Sequence, residues 1–154
     1  MLRFEEHIQS IQPDVIIIQV CVNDLKTIPL FPEQKDEIIA NCETNIESIV
    51  QKSLAADPIV ILTTVFPTSG NVPLTRRLVW SGDVDDAIGE VNNFIRNYQA
   101  DNLIIFDTAV ILSNDAGNTR SEYVYDLLHL NSAGYDALNS ELTKILDGLK
   151  IANP

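Results

Sequence analysis

Basic residues are scarce in this chain of 154 residues: ten Lys and Arg stand against 22 Asp and Glu, a formal net charge of −12. Affinity for phosphate backbones and anionic bilayers rests on clustered Lys and Arg, and the nearest thing to a cluster is Arg76-Arg77. Nucleic acid is therefore not an expected partner, and anionic substrates are disfavoured unless a local field opposes the net charge. Cysteine is scarcer still. Cys21 and Cys42 form no CxxC pair, and no Cys/His cluster has zinc spacing, so no metal is implied. Two cysteines make no disulfide scaffold, and a core of this size does not need one. No apolar run approaches the roughly 20 residues of a membrane-spanning helix. The opening Met1-Leu2-Arg3-Phe4-Glu5-Glu6 lacks the apolar h-region of a signal peptide. A soluble protein of a reducing compartment, by default cytoplasmic, is the expectation, although a chain lacking its true N-terminus would also lack its targeting signal.

What is present fits one globular domain over residues 1–154: 45% of residues are hydrophobic and 21% charged. Phe4, Ile8 and Ile11 have helical spacing and are stopped by Pro13. Asp14 to Val20 reads as a strand, apolar on both faces and rich in β-branched residues. A helix from Glu33 to Leu54 follows, with Ile38, Ile39, Cys42, Ile46, Ile49, Val50 and Leu54 on one side; Asp57-Pro58 blocks its continuation. Ile59 to Val65 is a second buried strand, and Phe66 to Ser81 a long loop with turn signals at Pro67, Gly70 and Pro73. Ser81 to Tyr98 is a helix, Leu103 to Asp107 a third strand, Asn114 to Thr119 a loop, and Ser132 to Leu149 a closing amphipathic helix. Strands alternating with helices predict an α/β domain with a parallel sheet. In such sheets ligands bind beyond the carboxyl ends of the strands, which singles out the residues after Val20, after Val65, and between Phe106 and the final helix.

Two of these places carry chemistry. After the first strand comes Cys21-Val22-Asn23-Asp24. An Asn-Asp pair there commonly just starts a turn; alternatively the Asn23 amide faces the rim as the oxyanion donor that acyl transfer requires. Before the last helix comes Asp126-Leu127-Leu128-His129-Leu130-Asn131. An Asp and a His three residues apart on a turn can meet, the carboxylate holding Nδ1–H and leaving Nε2 as a general base. Alone, that spacing arises by chance in so acidic a chain, and a satisfied histidine near a helix start is the plain alternative. His7 has no such neighbour and is assigned no function.

Both signals fall at the same rim, and the last continues Asn131-Ser132-Ala133-Gly134-Tyr135. Here the sequence resembles the SGNH hydrolases, also called GDSL esterases and lipases. Pro13-Asp14-Val15 through Asn23-Asp24 looks like the family's strand and G-x-N-D block, and Asp126 to Gly134 like its D-x-x-H-(L/P)-N-x-x-G block. The order of intervening elements agrees over nearly the whole chain. The resemblance implies a three-layer flavodoxin-like fold with helices on both faces of the sheet, and hydrolysis of small carboxylic esters. It makes Asn23 an oxyanion donor, His129 the general base and Asp126 its orienting acid, with no metal or organic cofactor. A non-catalytic descendant that keeps the cleft for binding is the alternative.

The match departs in two respects. There is no Gly-Asp-Ser anywhere and the first glycine is Gly70, so the family's nucleophile block, with at least one β–α–β unit of roughly 30 residues or more, is missing. The strand before Cys21 is apolar on both faces, as an interior strand would be. An N-terminal segment or a second copy of the chain is therefore expected to pair along residues 15–20. Second, Cys21 stands at the glycine of G-x-N-D. A cysteine ending a buried strand usually serves as a small hydrophobe; Cys21 and Ser69 are the two conceivable replacement nucleophiles.

Overall fold

The structure, a computed structural model, describes residues 10–70 and 80–149. The helical pattern at Phe4 and Ile8, His7, and the Pro73 and Arg76-Arg77 part of the long loop lie outside the described residues.

Three largely apolar runs rich in β-branched residues form the strands β1 (Val15–Ile18), β2 (Ile59–Thr63) and β3 (Leu103–Phe106). All are parallel, in the order β1-β2-β3, with Ile17 opposite Ile61 and Ile61 opposite Ile104. Parallel neighbours need a crossover long enough to carry a helix. The crossover from β1 to β2 holds a short helix α1 (Val22–Leu25) and the long α2 (Lys35–Leu54); that from β2 to β3 holds α3 (Gly82–Asn97). After β3 come the five-residue α4 (Thr108–Leu112) and the terminal α5 (Ser132–Gly148).

Strand alternation divides the core between the two faces of the sheet. On one face Ile16, Ile18, Val60 and Leu62 pack with Ile39, Cys42, Ile46 and Val50 of α2 and with Val84, Val91 and Ile95 of α3. On the other, Ile61 and Phe106 meet Leu112 of α4, Leu130, and Leu138 of α5. Helices thus cover both faces, and the three-layer α/β arrangement expected from the sequence is what the described residues build. Among them, β1 has a neighbour on one side only.

The long helices follow their apolar stripes. In α2 the buried positions Ile39, Cys42, Ile46, Val50 and Ser53 are three or four residues apart, Asp36 and Glu37 favour the positive N-terminal end of the helix dipole, and Lys52 the other. Pro32 opens a 3-10 turn, Pro32–Gln34, so the α-helix starts two residues later than Glu33. It ends before Asp57, whose φ of 60° turns the chain towards Pro58. The helices α1 and α4 were not expected: at four and five residues they are too short to display a periodicity.

The cysteines correct another expectation. Cys21 and Cys42 are both buried, but they are not independent hydrophobes. A disulfide joins them, Cα to Cα 5.9 Å, tying the end of β1 to α2. The α2 stripe turns Cys42 inward against the carboxyl end of β1, a meeting that spacing along the chain does not encode.

Candidate active site

The turn after β1 is built on Cys21, whose carbonyl accepts the N–H groups of Asp24 at 2.9 Å and Leu25 at 3.1 Å. That bonding starts α1 and places Asn23 on an exposed first turn, while Leu25, fully buried, anchors it to the core. Lys26 folds back over the same turn: its Nζ donates to Asn23 Oδ1 at 2.7 Å. An ammonium can only donate, so the face of the amide it touches is the oxygen. The Nδ2 group of Asn23 is left over, and no described residue accepts from it. Sequence reasoning singled out Asn23 and not Lys26, whose partner is visible only once α1 has formed.

The second half of the site is a closed turn. His129 O accepts from the N–H groups of Tyr125 and Asp126, and Val124 bridges Leu130. Asp126 turns its carboxylate into this loop, where Oδ1 accepts the N–H groups of Leu128 and His129, each at 2.9 Å. The His129 ring lies on the same carboxylate, Nδ1 at 3.0 Å from Oδ1 and 2.9 Å from Oδ2. The hydrogen bond with the His129 ring, followed by those from the Leu128 and His129 backbone, lowers the Asp126 pKa from 3.8 to about 2. At neutral pH Asp126 is therefore an anion that only accepts, so Nδ1 is the ring nitrogen that donates to it, and Nε2 points away from the carboxylate.

The rest of the motif is scaffold. Asn131 caps α5, its Oδ1 accepting Gly134 N–H at 3.1 Å, while its Nδ2 donates to Glu122 O at 2.8 Å. A Cβ on Gly134 would stand 3.0 Å from Leu130 Cβ and 3.1 Å from Tyr123 Cβ and O. Glycine is needed there for close approach of α5 to the loop. Behind the β2 end, buried Asn92 of α3 clamps the Val65 backbone, accepting its N–H at 2.7 Å and donating to its carbonyl at 2.9 Å. Asn92 was invisible as a polar residue inside an apolar stripe.

Asn23 and His129 line one cleft of about 320 Å³, together with Cys21, Lys26, Phe66 and Tyr135 among others. Among the described residues no carboxylate lines it and Lys26 does, while the Asp126 carboxylate stands behind the His129 ring at 2.9 Å. The conceivable substitute nucleophiles fare poorly. Cys21 is in the disulfide. Ser69 donates its backbone N–H to Leu127 O at 3.0 Å and faces a different groove, with Ser113, Arg120 and Glu122. Among the described residues no group of three His, Cys, Asp or Glu is placed to hold a metal ion, and no helix is long and apolar enough to cross a membrane.

The described residues form a three-layer parallel α/β domain with an acid–histidine pair at the carboxyl ends of its strands. The chain belongs to the GDSL-like lipase/acylhydrolase family, which its residues 1–137 match, and is a hydrolase by family. No curated protein sequence matches it. Among solved structures it is similar to a GDSL-like lipase of Bacteroides thetaiotaomicron, with a TM-score of 0.71 at 20% identity, over 95% of this chain and 68% of that one. It is also similar to a carbohydrate esterase family 3 protein of Talaromyces cellulolyticus, TM-score 0.58 at 17% identity, over 96% of this chain and 65% of that one. A third likeness is to an acetyl xylan esterase, TM-score 0.57 at 18% identity, over 96% and 73%. Such likenesses carry the fold; this chain spans about two thirds of the first two.

Proposed function

We propose that the chain supplies the acid–histidine and oxyanion half of a carboxylic ester hydrolase, acting with a serine absent from residues 1–154. The observation that carries this reading is the grip of Asp126 on His129 Nδ1, at 2.9–3.0 Å, beside a cleft that Asn23 also lines. Asp126 fixes the tautomer, Nε2 of His129 takes the serine proton, and the attack leaves a negative oxygen on the former carbonyl. Asn23 Nδ2 donates to that oxygen, and Lys26 supplies positive potential nearby. His129 then returns its proton to the leaving alcohol, and water repeats the sequence to release the acid.

A cleft of about 320 Å³ has room for a small ester. That agrees with the acetyl xylan esterase among the structural likenesses. The serine is best provided by a strand lying along the open side of β1, whose carboxyl end would then sit beside the Cys21 turn.

Losing a triad serine costs on the order of 10⁶ in kcat, a scale measured on subtilisin, so residues 1–154 alone are expected to leave p-nitrophenyl acetate essentially untouched. A chain extended at its N-terminus by a β–α–β unit carrying Gly-Asp-Ser is expected to hydrolyse it, and His129→Ala to abolish that activity. Robust turnover by residues 1–154 that disappears in His129→Ala would place the nucleophile inside this chain. A correctly folded but inactive extended chain would favour the binding descendant.

A further inference from the structure

Cys21 has φ 85° and ψ −33°. Three other described non-glycine residues have positive φ, but Gln12, Asp57 and Asn102 sit between 49° and 60°, at or near the small left-handed basin. Cys21 lies beyond that basin, in territory where a Cβ crowds the backbone and glycine is the natural occupant. Its orientation matters, because its carbonyl starts α1 and Asn23 is two residues on. Something must hold a side-chain-bearing residue in a glycine conformation, and the structure contains a candidate: the bond to Cys42 in the middle of α2. Cys42 is 1% exposed and belongs to the largest core cluster, so it is a fixed anchor.

We propose that the Cys21–Cys42 disulfide is a positioning device for Asn23, holding the turn in the shape that glycine would adopt unaided. Presentation of Asn23 at the cleft then depends on the redox state of the pair, and the chain works in an oxidising compartment rather than in the reducing one expected from its cysteine count. The functional side rests on the reading of Asn23 as an oxyanion donor; the structural side does not. Reduction is a two-electron exchange with a dithiol. One thiolate attacks the sulfur of Cys21, a residue that borders the cleft, and displaces the Cys42 sulfur, which takes up a proton. The second thiol of the reductant then displaces the Cys21 sulfur, leaving two protein thiols and an oxidised reductant. The buried, apolar surroundings of Cys42 make its thiolate a poor leaving group, so the exchange is slow in the folded protein.

The test uses the chain of 154 residues as it stands. Thiol titration in denaturant is expected to find no free thiol before dithiothreitol and two after; two thiols in protein purified under air would overturn the proposal. Amide hydrogen exchange at Asp24 and Leu25 is expected to accelerate roughly 10–100-fold on reduction, with Val60 to Leu62 of β2 changing far less. The double variant Cys21→Ser/Cys42→Ala is expected to behave like the reduced chain under air. In Cys21→Gly/Cys42→Ala, most protection at Asp24 and Leu25 is expected to return, since glycine adopts φ 85° without strain. Should reduction unfold the whole chain, the contrast between these two variants still decides, and equal protection in both would overturn the proposal. None of these readouts uses ester hydrolysis, so failure of the esterase reading leaves them intact. In an active, serine-bearing form, reduction is expected to lower kcat at least tenfold with KM little changed; an unchanged kcat would remove the positioning role.

Discussion

The two faces of the sheet are built to different standards. Under α2 and α3, nineteen of the described residues form one buried cluster, with Ile46, Val50, Val60 and Val91 inaccessible to solvent. Under α4 and α5 the corresponding cluster has five, and Ile17, opposite Ile61 in the register, is 49% exposed. The difference follows from helix length and placement. Helix α4 has five residues, and α5 packs with β3, Ile61 and Val15, leaving the rest of the open side of β1 bare among the described residues. Burial of apolar area scales with what covers it, so stability concentrates on the first face. The candidate site draws on both: Asn23 is tied to the first face through Leu25 and the disulfide, whereas His129 precedes the helix of the second.

This asymmetry predicts unequal mutational costs. Ile46→Ala, in the dense cluster, is expected to lower unfolding free energy by about 2–5 kcal/mol. Ile17→Ala should change it by no more than about 0.5 kcal/mol. Urea unfolding of the two variants measures both, and similar losses would abolish the distinction between the faces.

Glycines sharpen it next. Gly134→Ala must push Leu130 or Tyr123 aside and is expected to cost about 1–3 kcal/mol. Gly89, mid-helix in α3, has open space where a Cβ would stand, with no neighbouring atom within 4 Å, so Gly89→Ala is expected to stabilise by about 0.5–1 kcal/mol. Opposite signs in thermal unfolding would support the packing description; a stabilising Gly134→Ala would contradict it.

The acid limb is a smaller effect. The folded pKa of Asp126, about 2, lies below its ordinary 3.8. Its stabilising contribution is therefore complete above pH ~4 and disappears as pH falls through about 2. Asp126→Asn is expected to be less stable than the parent at pH 6 and to converge with it near pH 2, followed by circular dichroism with denaturant. A constant difference across that range would mean the carboxylate charge is not what stabilises the turn.

The smallest stability change, and a distinct change in assembly, is expected from Ile17→Lys. An uncharged edge with no partner is a template for another strand, and a lysine blocks it. Residues 1–154 are expected to self-associate in sedimentation, and the variant to do so less. A clean parent monomer with slow exchange from Ile16 to Ile18 would show that the edge needs no partner.

The long elements were readable because each shows its period over many residues: Ile39, Cys42, Ile46 and Val50 for α2, and the unbroken aliphatic runs for the strands. Helices α1 and α4 escaped notice because four or five residues show no period, and their stability comes from tertiary partners such as the Thr64 hydroxyl, which accepts Ala109 N–H at 2.9 Å. Asn92 and Lys26 were missed for a related reason. Their roles are bonds to Val65 and Asn23 that exist only in the folded arrangement.

By itself, the sequence determined whatever closes within a few residues: the strand and helix stripes, the cap of Asn131 on Gly134, and the Asp126–His129 contact, which a three-residue turn brings within reach. Only the tertiary structure decided which distant groups share a cleft. It brought Asn23 to the wall that His129 occupies, sent Ser69 to another groove, and joined Cys21 to Cys42. The physical reason is that short loops close through backbone geometry already fixed by local torsions. Contacts between remote segments depend instead on the order of strands and on which helix face the core turns inward.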